Sequence, residues 1–362
     1  MHKKELYIGV MSGTSLDGVD IALCEITDTS CELLKSYEYP FDLKLKNEIF
    51  QMISTPTTLK NVGELDHKLG FMFSDAINAF VKNEDIDTSS ITAIGLHGQT
   101  LWHSPDGDTP FSMQLGDANI VCAQTGIRTI ADFRRMDIAN GGQGAPFAPA
   151  FHKFLFAHLE KKVAVLNIGG MANITILDEK TLGWDAGCGN VLLDWWMSQT
   201  QLKPYDKDGD FARSGKLSQA LLALMLQDEY FSRIAPKSTG REYFNALWIE
   251  EKLTKFEHLC DNDIQRTLLE LTAQTIANDL KDRNITTIIV CGGGARNTFL
   301  IQRLEELTTC ELKRSDELGI NSDALEAMAF AWFAYKRSNK QLVDLCSITG
   351  ATKPSQLGAI YG

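Results

Sequence analysis

Residues 7–18 read YIGVMSGTSLDG, and residues 162–170 read KVAVLNIGG. Each is an apolar run that ends in a glycine-containing turn, the pattern of a buried strand entering a hairpin. A second strand pattern follows each turn, VDIALCEI at 19–26 and MANITILDE at 171–179. A third comes after both, LLKSYEYPF at 33–41 and LGWDAG at 182–187. The order strand, glycine turn, strand, strand therefore occurs once in each half of the chain. This is a duplication on the scale of a domain, not a short solenoid repeat.

The flanking segments extend the parallel. In the first half, helical periodicity covers 43–54 and 62–83, and ITAIGLHG at 91–98 reads as a buried strand ending in glycine. SMQLG (112–116) is a short strand, DANIVCAQTG (117–126) a short helix and RTIADF (128–133) another strand. In the second half, helices are expected near 190–201, 215–227, 242–257 and 263–283. TTIIVCGGG (286–294) is a buried strand, RNTFLIQRLEEL (296–307) a helix and ELKRS (311–315) a short strand. SDALEAMAFAWFAYKRS (322–338) reads as a strong helix with Ser322 as N-cap. Alternating strands and helices make the class α/β. NGGQGAPFAPAFH (140–152) reads as a structured hinge that Phe147 and Phe151 would dock. The expected division is a first lobe of 1–138, with 341–362 packed back on it, and a second lobe of 139–340.

A chain of 362 residues suits two cores. Lys and Arg number 35 against 47 Asp and Glu, a net charge of −12, which repels a nucleic-acid backbone unless a basic stripe intervenes. Lys161-Lys162 and Arg134-Arg135 are too short to form one, so no nucleic-acid partner is expected. The eight cysteines include no CxxC pair, and their scatter fits a reducing compartment. The apolar stretch after the basic N-terminus is too short for a signal sequence, and no stretch approaches the ~18 apolar residues of a membrane span. The expectation is a cytoplasmic protein with no membrane partner.

Several motifs can carry chemistry. Ser12, Gly13, Thr14 and Ser15 in the first turn and Gly169-Gly170 in the second can point main-chain N–H groups and hydroxyls at phosphate oxygens. One such turn alone is simply a hairpin; two in equivalent places favour phosphate binding. Gly292-Gly293-Gly294, at the carboxyl end of a strand, reads as an adenine platform or, equally, as tight helix–strand packing. Asp185 in GWDAGCGN, expected at a strand end just before a helix, reads as a base, with Asn190 or Gly189 better placed to cap. Glu326 is either a capping-box partner of Ser322 or Asp323, or a ligand contact. Asp132, Arg134, Arg135, Asp137 and Gln143 suit sugar hydroxyls and a sugar carboxylate, or form surface ion pairs. Lys237, Ser238, Thr239 and Arg241 carry the same ambiguity. His97 and His103 lack partners at metal spacing and read as structural. GxxxxGK[ST], GxGxxG after a strand and the protein-kinase signatures are all absent.

The glycine hairpins and third glycine turn resemble the superfamily of actin, hexokinase and the heat-shock chaperone ATPases. Within it the chain resembles the anhydro-N-acetylmuramic acid kinase family along essentially its whole length. IGVMSGTSLDGVD (8–20), GLHGQT (95–100), ADFRRMDIANGGQGAPFAPAFH (131–152), LNIGGMANIT (166–175), KPYDKDG (203–209), PKSTGREYFN (236–245), VCGGGARN (290–297) and TGATKPSQLGAIY (349–361) carry the likeness with GWDAGCGN. The resemblance implies two ribonuclease H-like lobes related by a pseudo-twofold duplication, with ATP in the interlobe cleft. It implies that ATP and Mg2+ are used to phosphorylate O6 of a 1,6-anhydro sugar as water opens its ring. Asp185 would be the base, and Gly13, Thr14, Ser15, Leu16, Asp17, Gly18, Val19 and Asp20 would line ATP. Asn167 and the glycines at 169, 170 and 292–294 would join them. Asp132, Arg134, Arg135, Gln143, Gly144 and Glu326 would bind the sugar. A homodimer is implied too. Ala186 and Cys188 replace a usual Thr and Pro, Met136 a common arginine, and Met11 and Asn167 stand where metal-associated aspartates often sit, leaving the metal ligands unknown. Two other readings stand beside this one. A glycoside hydrolase would use Asp185 and Glu326 as a carboxylate pair but leave both hairpins idle. A non-catalytic sugar sensor would carry a further partner segment.

Overall fold

The computed structural model describes residues 4–362 apart from 14, 15, 17, 160, 161, 236 and 242. Strands β1 (Glu5–Ser12), β2 (Gly18–Ile26) and β3 (Cys31–Pro40) come first, followed by α1 (Leu43–Ser54) and α2 (Leu59–Asn83). Then come β4 (Ile91–Ser104), β5 (Phe111–Leu115), α3 (Ala118–Thr125), β6 (Thr129–Ala131), α4 (Arg134–Ala139) and α5 (Ala148–Leu155). The second half opens with β7 (Val163–Ile168), β8 (Met171–Leu177), β9 (Leu182–Cys188) and α6 (Val191–Gln201). Helices α7 (Asp210–Ser214), α8 (Gln219–Leu226), α9 (Glu229–Ser232), α10 (Ala246–Leu253) and α11 (Asp261–Leu280) lead to β10 (Thr287–Cys291), α12 (Thr298–Leu307) and β11 (Glu311–Arg314). The chain ends with α13 (Leu325–Ser338), α14 (Cys346–Thr349) and β12 (Ala359–Tyr361). Side-chain caps set several starts: Asp42 accepts from the Lys44 and Leu45 amides, and Asn297 accepts from that of Leu300.

The chain forms two compact units, one of residues up to Ala157 with Ala324–Gly362 and one of His158–Asp323. In the first, the sheet order is β12-β6-β4-β1-β2-β3, with β5 on β4. In the second it is β11-β10-β7-β8-β9. In both, an antiparallel three-strand meander meets two parallel strands: β1 pairs in parallel with β4 and β4 with β6, as β7 does with β10 and β10 with β11. The duplication read from the two hairpins is thus repeated in strand order, β3-β2-β1-β4-β6 against β9-β8-β7-β10-β11.

Strand alternation divides the faces of the first sheet. Ile8, Val10, Ile21 and Leu23 join Leu65, Leu69, Phe73, Ile77 and Phe80 of α2 in one core. Tyr7 and Gly9 point the other way, to α13, where Tyr7 meets Tyr335 edge-on at 5.7 Å. This placement moves both boundaries. The expected breaks at 138/139 and 340/341 fall inside the first unit, because α5 and α13 are fastened there by Phe147 against Phe333 (5.5 Å) and Phe151 against Trp332 (5.8 Å).

Helix α13 starts at Leu325 with Ala324 at the cap position and no side-chain cap bond. Ser322 does not cap it. Its main-chain N–H instead donates to Asp316 Oδ1 at 3.3 Å, so the capping-box reading of Glu326 with Ser322 lapses.

In the second unit α11 is buried along most of its length beneath the sheet. Glu270 on it accepts from Arg266 at 2.7 Å and from Arg303 of α12 at 2.8 and 2.9 Å. Burial pushes the Glu270 carboxyl up, but the two guanidiniums outweigh it and hold the group below its usual value. The stabilisation is present above the unfolded carboxylate range and is lost as pH falls through the lowered folded value. Glu270→Gln leaves two arginines facing a neutral amide. Denaturant melts are expected to show a loss of about 3 kcal/mol at neutral pH and a smaller loss in acid.

Candidate functional site

The carboxyl ends of the parallel strands β7 and β10 lie side by side in the second unit, with Asn167 opposite Cys291. The two-residue turn Gly169-Gly170 is tied to the start of α6. The Gly169 carbonyl accepts from the Asn190 N–H at 2.8 Å, and that of Gly170 from Gly189 at 2.9 Å and Val191 at 3.1 Å. The three glycines after β10 divide into two roles. Gly292 sits at φ 78°, and a Cβ there would lie 2.3 Å from Asn167 Oδ1. A Cβ on Gly294 would lie 2.3 Å from Ile168 Cγ2. Both are required by packing against β7. Gly293 is not, since its Cβ would approach only Asn190 Nδ2, at 3.9 Å. Gly169 is equally open, with Met171 O at 3.9 Å. Bare main chain at 169 and 293 is the surface this end of the sheet offers to a flat or anionic ligand.

Asp185 stands inside β9, three residues before its end, rather than just before a helix as expected. A bulge puts it there. The β8–β9 register passes from Ala172 opposite Gly187 to Asn173 opposite Asp185, so Ala186 is the extra residue. Asp185 Oδ1 accepts from Asn173 Nδ2, and Oδ2 accepts from the Thr239 N–H at 2.9 Å. Its main chain is fixed too: its N–H donates to the Lys237 carbonyl at 2.9 Å, and its carbonyl accepts from the Tyr230 hydroxyl at 2.7 Å. Lys237 is buried and pairs with Asp279 at 3.1 Å, which also accepts from Trp184 Nε1 at 2.8 Å. Lys237 and Thr239 therefore clamp Asp185 through their main chain. The Lys237 side chain is an internal anchor and not a ligand cation, while the Arg241 guanidinium lies over Gly170. In KPYDKDG, Asp206 is structural, accepting from the Phe211 and Ala212 amides at the start of α7.

In the first unit, Thr14, Ser15 and Asp17 of the first turn lie outside the described residues. Ser12 closes β1 and donates to Gln99 Oε1 at 2.7 Å, and Gln99 Nε2 donates to the Gly13 carbonyl at 3.5 Å. Leu16 is buried at φ 55° with its N–H on Gly13 O at 3.3 Å. Gly18, Val19 and Asp20 open β2, with Asp20 opposite Met11. Gln99 is the brace of this turn. It belongs to GLHGQT, yet nothing local in the sequence singles it out.

The segment after β6 splits its neighbouring arginines. Arg134 turns inward, donating to the Gly144 carbonyl at 2.7 Å and to His97 Nε2 at 2.8 and 3.2 Å, with its guanidinium over Phe147. Burial lowers its pKa to about 10 against the opposing charges of Glu326 and Asp137. Asp137 is buried and accepts from the Gly144 N–H and the Thr349 hydroxyl, both at 2.8 Å; burial raises its pKa. The Gln143 N–H donates to the Thr349 carbonyl at 3.0 Å, while its side chain and that of Glu326 are exposed. Arg135 turns outward and pairs with Asp132 at 3.6 Å. These two line a cavity of about 170 Å³ with Asp66, Gln114, Asp117 and Tyr361. The structure thus separates Arg134, a scaffold group, from Arg135, a group open to a ligand.

His97 is neutral: burial first, then the Arg134 charge, hold it well below its usual value. Burial takes His152 of α5 down to about 3. The unfolded chain protonates both first, so stability is full above the unfolded value near 6.5 and falls as pH drops below it. Acid titration of unfolding is expected to lose up to about 1.4 kcal/mol per pH unit for each histidine. His152→Phe should flatten its share of the slope.

Among the described residues, no group of three or more His, Cys, Asp or Glu side chains is placed to hold a metal ion. No helix among them is long and apolar enough to cross a membrane. The family model described as anhydro-N-acetylmuramic acid kinase matches residues 5–362. The chain is 54% identical over 365 residues to the anhydro-N-acetylmuramic acid kinase of Sulfurimonas denitrificans and 53% identical over 361 residues to that of a Sulfurovum species, covering 99% of each chain in both cases. Among solved structures it is similar to the component A of (R)-2-hydroxyglutaryl-CoA dehydratase from Acidaminococcus fermentans. That likeness has a TM-score of 0.50 at 12% identity, covers 92% of this chain and 99% of that one, and bears on the fold.

Proposed function

The chain belongs to the anhydro-N-acetylmuramic acid kinase family, and from that premise we propose that it phosphorylates 1,6-anhydro-N-acetylmuramic acid at O6 with ATP. Water opens the anhydro ring in the same reaction, and the products are N-acetylmuramic acid 6-phosphate and ADP. The observation that carries this reading is the Asp185 carboxylate, held by Asn173 and Thr239 on a bulge of β9.

Asp185 takes a proton from water. The water oxygen forms a bond to C1, the C1–O6 bond breaks, and O6 attacks the γ-phosphorus of ATP. The bond from that phosphorus to the β–γ bridging oxygen breaks, and its electron pair leaves with ADP. The turn of Ser12, Gly13, Thr14, Ser15, Leu16 and Asp17, with Gly18, Val19 and Asp20, binds ATP. So do Asn167, Gly169, Gly170 and the run Gly292, Gly293, Gly294, where the open faces at 169 and 293 support contact. Magnesium neutralises phosphate charge when bound. Among the described residues no group of three or more His, Cys, Asp or Glu side chains is placed to hold it, and no step depends on its ligands. Arg135 and Asp132, paired at the cavity, recognise the sugar, and Gln143 and Glu326 take part as exposed side chains; Arg134 donates to the Gly144 carbonyl and so holds that loop. The eight free cysteines support a cytoplasmic setting, and the family likeness supports a homodimer.

The test is mass spectrometry of the products formed from the anhydro sugar, ATP and magnesium in water enriched in heavy oxygen. One heavy oxygen at C1 and phosphate at O6 are expected. Label in the phosphate, or product formation without ATP, would sink the reading.

A further inference from the structure

We infer that Asn173 is a positioning residue for the Asp185 carboxylate. The inference rests on Asp185 being the base. It starts from the bulge. In a regular β8–β9 ladder Asn173 would face Ala186; the extra residue brings it opposite Asp185 instead, so both side chains stand on one face of the sheet. A carboxylate can only accept, so the amide nitrogen of Asn173 must face it, as it does. The Thr239 N–H takes the other oxygen. Donors on both oxygens stop rotation of the carboxylate about its last bond and fix the direction of its remaining lone pairs. A base whose geometry is set before substrate arrives loses little in reorganisation. The same donors favour the charged form, which is the form that accepts a proton.

The ionisable groups packed around this pair do not replace Asn173. The Tyr230 hydroxyl is committed to the Asp185 carbonyl. Lys237 is paired with Asp279, and the Arg233 guanidinium lies over the Tyr230 ring. Arg241 lies over Gly170. The competing role for Asn173 is that of an ordinary cross-strand pair, which supports the sheet and adds nothing to the reaction.

Asn173→Asp and Asn173→Ala separate the two. The first keeps the shape but replaces the donor with a second carboxyl; the second removes the group. Both are expected to lower kcat by about 10- to 100-fold, with ATP affinity and sugar KM within about twofold of the parent. The acidic limb of the kcat/KM–pH profile should move to higher pH in both, and further in Asn173→Asp, where two carboxyls share the site. Melting temperature, measured alongside, reports any structural cost. If Asn173→Ala fails to fold, the isosteric Asn173→Asp still gives the pH readout. Profiles that superimpose on the parent, or a kcat loss that only tracks the folded fraction, overturn the inference. Asp185→Asn is the control. If it is inactive while the Asn173 profiles are unmoved, the positioning role alone fails; if it is fully active, the reading of Asp185 as base fails with it.

Discussion

Asp185→Asn is expected to lower kcat by about 10²–10⁴-fold while ATP affinity stays within about twofold, a barrier increase of roughly 3–5 kcal/mol. The amide has nearly the shape of the carboxylate, so the β9 bulge survives. It cannot take a proton from water at any accessible pH. One local cost is built in: two donors, Asn173 Nδ2 and the Thr239 N–H, now face a group with one acceptor and one donor end. Leaving a donor unmatched costs about 1–3 kcal/mol of stability. The activity loss must therefore be normalised to the folded fraction. The glycines that read as ATP contacts lie on other segments, which is why nucleotide affinity is the internal control. Isothermal titration with a non-hydrolysable ATP analogue and single-turnover assays measure the two quantities. Retained turnover removes Asp185 from the chemistry, and lost nucleotide affinity would mean that the substitution disturbed the end of the sheet and not the proton transfer alone.

The parts of the fold that were legible are those whose signal is local. Each meander announces itself by apolar strands and a glycine turn, and the parallel partners β4 and β10 by a buried run ending in glycine. Helix α13 reads as a helix from its sequence, but the sequence does not show that it belongs to the first unit. The reason is its composition: Leu325 and every position from Ala327 to Tyr335 are buried, so no polar face says which side is covered. Its partner is chosen by glycines on β1 and β4, far away in sequence. At the site, Asp185 was visible through its flanking glycines. Asn173 was not, because strand alternation alone would place it opposite Ala186 and a bulge leaves no local mark in β8. Arg134 and Arg135 looked equivalent as neighbours. A helix turns about 100° per residue, so α4 sends one inward to Gly144 and His97 and the other out to Asp132. The run 292–294 does not itself tell ligand platform from tight packing: packing against β7 requires Gly292 and Gly294, while Gly293 has no such need.

Gly95→Ala, and equally Gly9→Ala, should each destabilise the first unit by about 4 kcal/mol or more, beyond the usual range for an added core methylene. Gly9 and Gly95 are register partners in the parallel β1–β4 pair, and together they form a trough in which the backbone of α13 rests. A Cβ on Gly9 would stand 1.8 Å from the Ala327 carbonyl oxygen and 2.6 Å from the Ala331 nitrogen. On Gly95 it would stand 2.0 Å from the Phe330 carbonyl oxygen. These are helix main-chain atoms, not the ends of mobile side chains, so the strain cannot be relieved by a rotamer change. The helix must lift, and lifting it loosens Tyr335 from Tyr7 of β1, Phe330 from His97 of β4 and from Phe133 just after β6, and Trp332 from Phe151 of α5. Because one displacement would relieve both contacts, the double variant should cost clearly less than the sum of the singles. Gly63→Ala is the matched control. Gly63 lies within α2, and a Cβ there meets nothing within 4 Å, so the same chemical change should stabilise by about 0.5–1 kcal/mol through helix propensity. Urea melts followed by circular dichroism compare the three. A Gly95→Ala protein that unfolds at the parent's midpoint would mean that α13 does not press on this sheet. The placement of residues 324–338 in the first unit would then have to be abandoned.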